Sequence, residues 1–291
     1  MPLNKKIQTL GDAKQRELFK GVNKNYIKSN SKLDEEVEEI YKKTRYDKNG
    51  KLITKQKEYK SNFKRVLALT TALWLKNGKD IQKTSTEIMS TTLLLFEFIG
   101  FKEFNFRKGF KIDLIIREAM AKRNKSINFA KVLGSNSKRL NKRVQKIITK
   151  AVKNGESLKS TEKKLTKVLK GNAGKAKAIA ATETNFYRSE SQLIGGKLTQ
   201  ERGVEMIKEW IYTFRSREPR ETHIAADGQT VALNDKFTVG GKETDAPQHF
   251  GDPSEDINCK CRIRVTHEDI DDDSLEGFKE FQEERGNDDE N

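Results

Sequence analysis

The sequence predicts an α+β protein: a mainly helical N-terminal body over about 1–205, a small α+β module over about 206–267, and an acidic tail. Three observations predict it. Apolar residues recur at helical spacing as far as Arg202. From Trp210 the chain changes to short β-like runs separated by Gly, Pro and Asp turns. From Glu268 to the end, twelve acids stand against two bases.

Taken in order, residues 1–30 are basic and polar with few apolar anchors and read as a loose arm or frayed helix. Ser31-Lys32-Leu33-Asp34-Glu35 opens a helix, with acids in its first turn, and Asp47-Lys48-Asn49-Gly50 closes it. Tyr59, Phe63, Val66, Leu67, Thr70, Leu73 and Trp74 mark one face of the next helix, and Asn77-Gly78 reads as its stop. Asp80 can cap a third helix through Ile81 and Ile88, although the Thr- and Phe-rich stretch that follows fits helix or strand. The phenylalanines there (Phe96, Phe98, Phe101, Phe104, Phe106) are either core or, if exposed, a sticky patch. Helices follow over Ile112–Arg123 and Leu140–Val152. Asn154-Gly155 is a break, and Ser157 or Ser160 is the next cap. Gly171-Asn172-Ala173-Gly174 reads as another break before a last helix from about Lys175 to Arg202. Strand-like runs are Trp210–Phe214, Thr230–Leu233, Lys236–Val239 and Arg262–Val265, with Asp227-Gly228 as a tight turn between the first two. Asp252-Pro253 marks another turn, and Asn258 is placed to bond its own backbone.

Composition bounds the function. Hydrophobic residues are 34% and charged residues 35% of 291, which suits an elongated or bundle-like body better than one thick core. The net charge is +15, but the tail carries −10, leaving +25 on residues 1–267. That surplus favours a polyanion such as non-specific double-stranded DNA; the alternative is a solvated lysine-rich surface. Two cysteines in a C-x-C pair form no disulfide framework, and a bond between them would be strained, so a reducing compartment is expected. Met1–Leu10 lacks the apolar centre of a signal peptide, and Thr91–Phe106 is interrupted by Glu97, Lys102 and Glu103, so a soluble protein with no membrane partner is expected.

The segment Trp210–His267 holds all three histidines (His223, His249, His267), both cysteines and three of the four prolines. Cys259 and Cys261 offer two thiolates from one loop, and His223 or His249 can complete a zinc site, with Asp227 as an oxygen alternative. C-x-C is tighter than the usual zinc-ribbon C-x-x-C. The alternative is that His223 bonds a turn and the cysteines are small buried hydrophobes. His223, Asn258 and His267 also loosely fit the recipe of a ββα-metal nuclease. No serine sits in a glycine elbow of the hydrolase kind.

The ordered set Ile179-Ala-Ala-Thr182-Glu183-Thr184, Trp210, Arg220-x-x-His223, Asp227-Gly228-Gln229, Phe237, Pro247, Gly251-Asp252-Pro253 and Ile257-Asn258-Cys259-Lys260-Cys261-Arg262 resembles the Mu F-like family. These are minor head, or head morphogenesis, proteins of tailed bacteriophages. The resemblance spans roughly residues 140–266. It makes Thr182, Glu183, Trp210, Arg220, Asp227, Gly228, Pro253 and Asn258 motif or structural residues. It divides the chain into a basic helical region (1–139), a Mu F-like domain (140–267) and the acidic tail (268–291). Two departures stand out. Where the family commonly has an aspartate before the R-x-x-H arginine, this chain has Ser216, with Glu218 the nearest acid. The family's domain is sometimes fused to a toxin or transferase, and the stretch after His267 is too short for one.

The resemblance implies a structural, non-enzymatic minor capsid protein. It would be made with portal and capsid or scaffold proteins in the host cytoplasm and kept inside the virion head near the portal. There it would contact packaged DNA and aid assembly and genome ejection. No DNA-reading motif suggests base specificity. The tail could dock a basic partner or hold the protein off DNA before assembly. The competing readings are a metal-dependent nuclease and a plain non-specific DNA-binding protein.

Overall fold

The computed structural model describes residues 3–49, 51–126, 129–213, 219–267 and positions 278, 281 and 282. The Gly50 end of the first expected turn, Phe214, Ser216, Glu218 and nearly all of the acidic tail lie outside the described residues. The fold is the expected α+β class. Helices α1 (Leu3–Lys42), α2 (Lys60–Phe104), α3 (Ile112–Ser126), α4 (Phe129–Lys153) and α5 (Leu158–Gln200) precede a module of short elements. The chain forms two compact units, one of residues 1–16, 82–126 and 179–291, the other of 17–81 and 127–178, so α1, α2 and α5 each contribute to both.

The long helices correct three expectations drawn from local sequence. Residues 1–30 are not a loose arm: they are helical from Leu3, and Ser31–Leu33 lies inside α1. Leu18, Val22, Tyr26, Leu33, Val37 and Ile40 follow one another at intervals of three, four or seven, and all are buried. At about 1.5–3 kcal/mol for each large apolar side chain buried, that stripe outweighs weak end signals. Asn77-Gly78 does not stop a helix either, because α2 runs through it. Asn25 Nδ2 donates to Asn77 Oδ1 at 2.9 Å and to Asp80 Oδ2 at 3.0 Å, so these polar groups serve as cross-helix partners. A Cβ on Gly78 would collide with Leu133 Cδ1, so glycine there permits close packing with α4. Gly171–Gly174 is likewise interior to α5. Each glycine costs about 1 kcal/mol in a helix. Against that, Ala173 and Ala176 are buried, and Asn172 Nδ2 returns to the Val168 carbonyl at 2.8 Å. The break at Gly155 (φ 65°) and the cap at Ser157, whose Oγ accepts from Ser160 N at 3.2 Å, are as expected.

In the first unit the phenylalanine-rich end of α2 is helical and packed inward. Phe96, Phe98 and Phe106 are buried with Leu95 and Ile99, while Phe101 and Phe104 are partly buried. Phe278 and Phe281 set their rings 5.5 and 5.4 Å from that of Phe98. On this core lies a sheet of β1 (Ile207–Ile211), β2 (Thr230–Ala232) and β5 (Arg262–Thr266) in the order β2-β1-β5, antiparallel throughout. Between β1 and β2 the chain inserts the short helix α6 (Glu221–Ala225), so Asp227-Gly228 turns into β2 from α6 instead of joining the two strands directly. β3 (Phe237–Val239) and β4 (Lys242–Thr244) form a hairpin over Gly240-Gly241, both at positive φ, as a two-residue turn of this twist demands. The helix α7 (Pro253–Asp256) leads to β5.

Helix α5 fixes β5 by two means. Gly195 and Gly196 leave no room for a Cβ, which would press on Phe96 and on Val265. One turn earlier, Gln192 meets the strand edge that β1 leaves open: its Nε2 donates to Ile263 O at 3.1 Å and its Oε1 accepts from Val265 N at 3.4 Å. A buried side-chain amide thus stands in for a missing neighbour strand. Gln192→Leu leaves both groups unsatisfied and is expected to lower unfolding free energy by about 2–4 kcal/mol, read by urea denaturation.

Candidate functional site

The sequence singles out His223, Cys259 and Cys261, and the fold brings them together. Arg220, extended at the N-cap of α6, donates through Nη2 to Ile257 O at 2.9 Å and ties α6 to the loop before the cysteines. One helical step later His223 points inward. Asp252 caps α7 by accepting from Ser254 N at 2.9 Å, with Pro253 in the first turn, and Asn258 (φ 60°) then reverses the chain into Cys259. Gln248 Nε2 donates to the carbonyls of Cys259 (3.2 Å) and Cys261 (3.4 Å), holding the C-x-C backbone.

His223 Nδ1 lies 3.5 Å from each cysteine sulfur. Its Nε2 lies 3.0 Å from Glu255 Oε2, and a carboxylate only accepts, so the ring carries its proton on Nε2 and turns the Nδ1 lone pair to the sulfurs. Glu255 in turn takes a hydrogen bond from Lys242 Nζ at 2.9 Å, which, ahead of opposing burial and the bond to His223, draws its carboxyl below the usual range. Trp210 meets the His223 ring edge-on at 5.6 Å and Phe250 stacks on it at 5.7 Å. All three donors are buried, His223, Cys259 and Cys261 each at 2% exposure.

The electrostatics follow from that burial. For His223, burial opposes the charged form, but hydrogen bonds with Cys259 and Glu255 outweigh it and raise its pKa. Donation from the Cys261 thiol, with His223 adding to it against burial, lowers the Cys259 pKa; the same contact, followed by burial, raises that of Cys261. The pair therefore gives up one proton readily and the second with difficulty.

His249 is not brought to this cluster. Its Nδ1 donates to Pro247 O at 2.9 Å, its Nε2 lies 2.8 Å from Glu190 Oε2, and its ring stacks on Phe186 at 4.3 Å. Asp227 also stays out, accepting from Tyr212 N at 2.8 Å beside Gly228, whose φ is 78°. His267 packs edge-on against Phe104. Trp210 is fully buried at the centre of β1. Cys259, His223 and Glu255 have the connectivity of a nucleophile, its base and an orienting carboxylate, and Cys259 is buried.

Beyond Thr182, Glu183 and Thr184, sequence reasoning missed the polar stretch of α5. Every residue from Ala180 to Leu193 is buried, and most are polar. Thr182 is buried within it, and Glu183 forms an ion pair with Arg123 at 2.9 Å, while the Arg123 guanidinium lies 3.8 Å over the Phe186 ring. Gln15 Nε2 donates to Thr184 Oγ1 at 2.6 Å and to Asn185 Oδ1 at 3.2 Å, and Asn185 Nδ2 donates to Cys259 O at 3.4 Å. Arg188 pairs with Asp12 at 3.2 Å. The available signal was the composition itself, since these fourteen residues are mostly polar and show no continuous apolar face.

This combination defines a class: a long-helix scaffold bearing a small α+β module closed on a buried nitrogen and sulfur cluster. Residues 142–264 match the family model described as Phage Mu protein F like protein, so this part of the chain is similar to that family. The chain is also similar to the NAD(+)--arginine ADP-ribosyltransferase EFV of Enterococcus faecalis (strain ATCC 700802 / V583), 35% identical over 83 residues. That match covers 28% of this chain and 17% of the relative, so the chain spans about a sixth of the relative's length. No solved structure matches the chain.

The Arg123–Glu183 pair gives a test of the polar stretch. Glu183→Gln removes the charge that the buried Arg123 guanidinium is paired with and is expected to cost about 3–5 kcal/mol in thermal or urea unfolding. Replacing both partners by methionine should recover most of that loss.

Proposed function

We propose that this protein is a structural minor head protein of a tailed phage, held inside the head near the portal, where it contacts packaged DNA and aids assembly and genome ejection. The observation that carries the reading is the Mu F-like match over 142–264, joined to the surface of the same segment. Helix α4 has eight basic residues and no acid, and all eight are exposed. Across 127–178 fifteen bases face two acids. Such a face exchanges condensed counterions for lysine and arginine and binds a duplex without reading bases. The basic region 1–139, the domain 140–267 and the acidic tail act as three functional parts in this reading, the tail meeting a basic partner such as the portal or a scaffold protein.

The buried His223 supports a structural role over a nuclease, because a phosphodiester needs access to the group that activates its attacker. The transferase activity in the relative's name is not carried over, since the match leaves most of that protein outside it.

Mass spectrometry of purified virions should find the protein at a few copies per portal; absence from virions and procapsids overturns the reading. In solution the chain should bind non-specific duplex DNA with a steep salt dependence. Changing Lys138, Arg139, Lys142 and Arg143 to glutamine should reduce that slope by roughly one unit for each contacting residue removed. An unchanged slope would rule out α4 as the contact.

A further inference from the structure

We propose that His223, Cys259 and Cys261 bind one divalent zinc ion, which staples together the two chain segments flanking β1. The proposal stands apart from the head-protein reading and would hold if that reading failed.

Geometry is the first argument. The three ligand atoms, His223 Nδ1 and the two Sγ, lie within 4.8 Å of one another, and each N···S distance is 3.5 Å. Zinc bonds of about 2.3 Å to sulfur and about 2.0–2.1 Å to nitrogen, opened to a tetrahedral angle, set the N···S edge at about 3.6 Å. Both N···S edges already have the length that the ion requires. The tautomer is the second argument. Glu255 accepts the Nε2 proton at 3.0 Å, so Nδ1 presents its lone pair, the carboxylate–histidine arrangement that supports a bound metal. Lys242, shared between Glu255 and Asp252 at 2.9 and 2.8 Å, holds that carboxylate in place.

Charge is the third. Two thiolates and a neutral imidazole around a divalent cation sum to zero, which suits a site buried to 2% exposure, whereas two bare thiolates there would repel each other at low dielectric. Soft sulfur with imidazole in a compact tetrahedral set selects zinc over the oxygen-seeking cations. A small ligand such as water takes the fourth position. The trapped indole N–H of Trp210, with no nitrogen or oxygen acceptor among the described residues, lies in the same wall and can only lend positive charge to the sulfurs.

The consequence is mechanical. His223 belongs to α6, in the link from β1 to β2, while Cys259 and Cys261 lead directly into β5 on the other side of β1. These strands are three to five residues long, too short to hold register unaided, and one ion fixes both flanks of the sheet.

The test uses the full chain, purified in reductant without chelator and shown to be folded by circular dichroism. Plasma mass spectrometry is expected to find about one zinc per chain. A folded, reduced chain that contains no zinc and takes up none on titration with zinc chloride overturns the proposal. With cobalt(II) in place of zinc, thiolate-to-metal charge-transfer absorption is expected in the wild type and lost in Cys259→Ser and Cys261→Ser. Glu255→Gln reaches the three ligands only through the far ring nitrogen of His223 and should weaken zinc binding about 10–100-fold, while His249→Gln should keep full occupancy. If the cysteine variants do not fold, the wild-type cobalt spectrum and the Glu255→Gln affinity decide. Cobalt bound without sulfur charge transfer, or a folded His249→Gln chain without metal, would overturn the ligand set.

Discussion

The polar stretch of α5 from Thr182 to Gln192 is the constraint on which the first unit depends. A helix buried on every side is ordinarily apolar, because each buried polar group without a partner costs about 1–3 kcal/mol. Here the partners come from far along the chain: Asp12 and Gln15 from α1, Arg123 from α3, His249 from the loop after β4, and the backbone of Cys259, Ile263 and Val265. The net stabilisation of such a network is modest, since desolvation offsets most of the attraction. Its effect is to select one placement of the small sheet, which a core of interchangeable leucines would not do.

The buried cluster inherits that placement. Asn185 and Gln248 both donate to the Cys259 carbonyl, so the loop that aims the sulfurs is held from α5 and from the segment after β4 together. Trp210 and Phe250 wall the imidazole, and the aromatic enclosure removes solvent that would otherwise weaken every contact inside. The chemistry is therefore enclosed, while the charge is displayed. The eight exposed cations of α4 lie opposite an apolar seam of Leu133, Leu140, Val144, Ile148 and Val152.

How much of this was legible in the sequence depends on whether the signal was local. The seam of α4, the break at Gly155 and the cap at Ser157 involve neighbours within a turn or two, and periodicity alone placed them. The convergence of His223 with Cys259 and Cys261 was legible as a shortlist, because few side chains of the needed chemistry exist in the chain, but His249 and Asp227 stood equal to them there. The hairpin over Gly240-Gly241 has a readable signal in its two glycines, but strands of three residues carry almost no alternation to go with it. Asn77-Gly78 misled because a glycine that ends a helix and one that admits a neighbour look the same in sequence, whereas Gly171 and Gly174 lie inside α5 with open space where a Cβ would stand.

By itself the sequence determined the class of fold, the two opposed charge regions and the short list of nitrogen and sulfur donors, since composition and period are properties of the chain. Only the tertiary structure decided that α1, α2 and α5 run unbroken, that Glu255 orients His223, and that Gln192 closes the edge of β5. The physical reason is the same in each case. Long-range burial is worth more than a local end signal, and a hydrogen bond between residues 32 or 71 positions apart leaves no trace in the spacing of either.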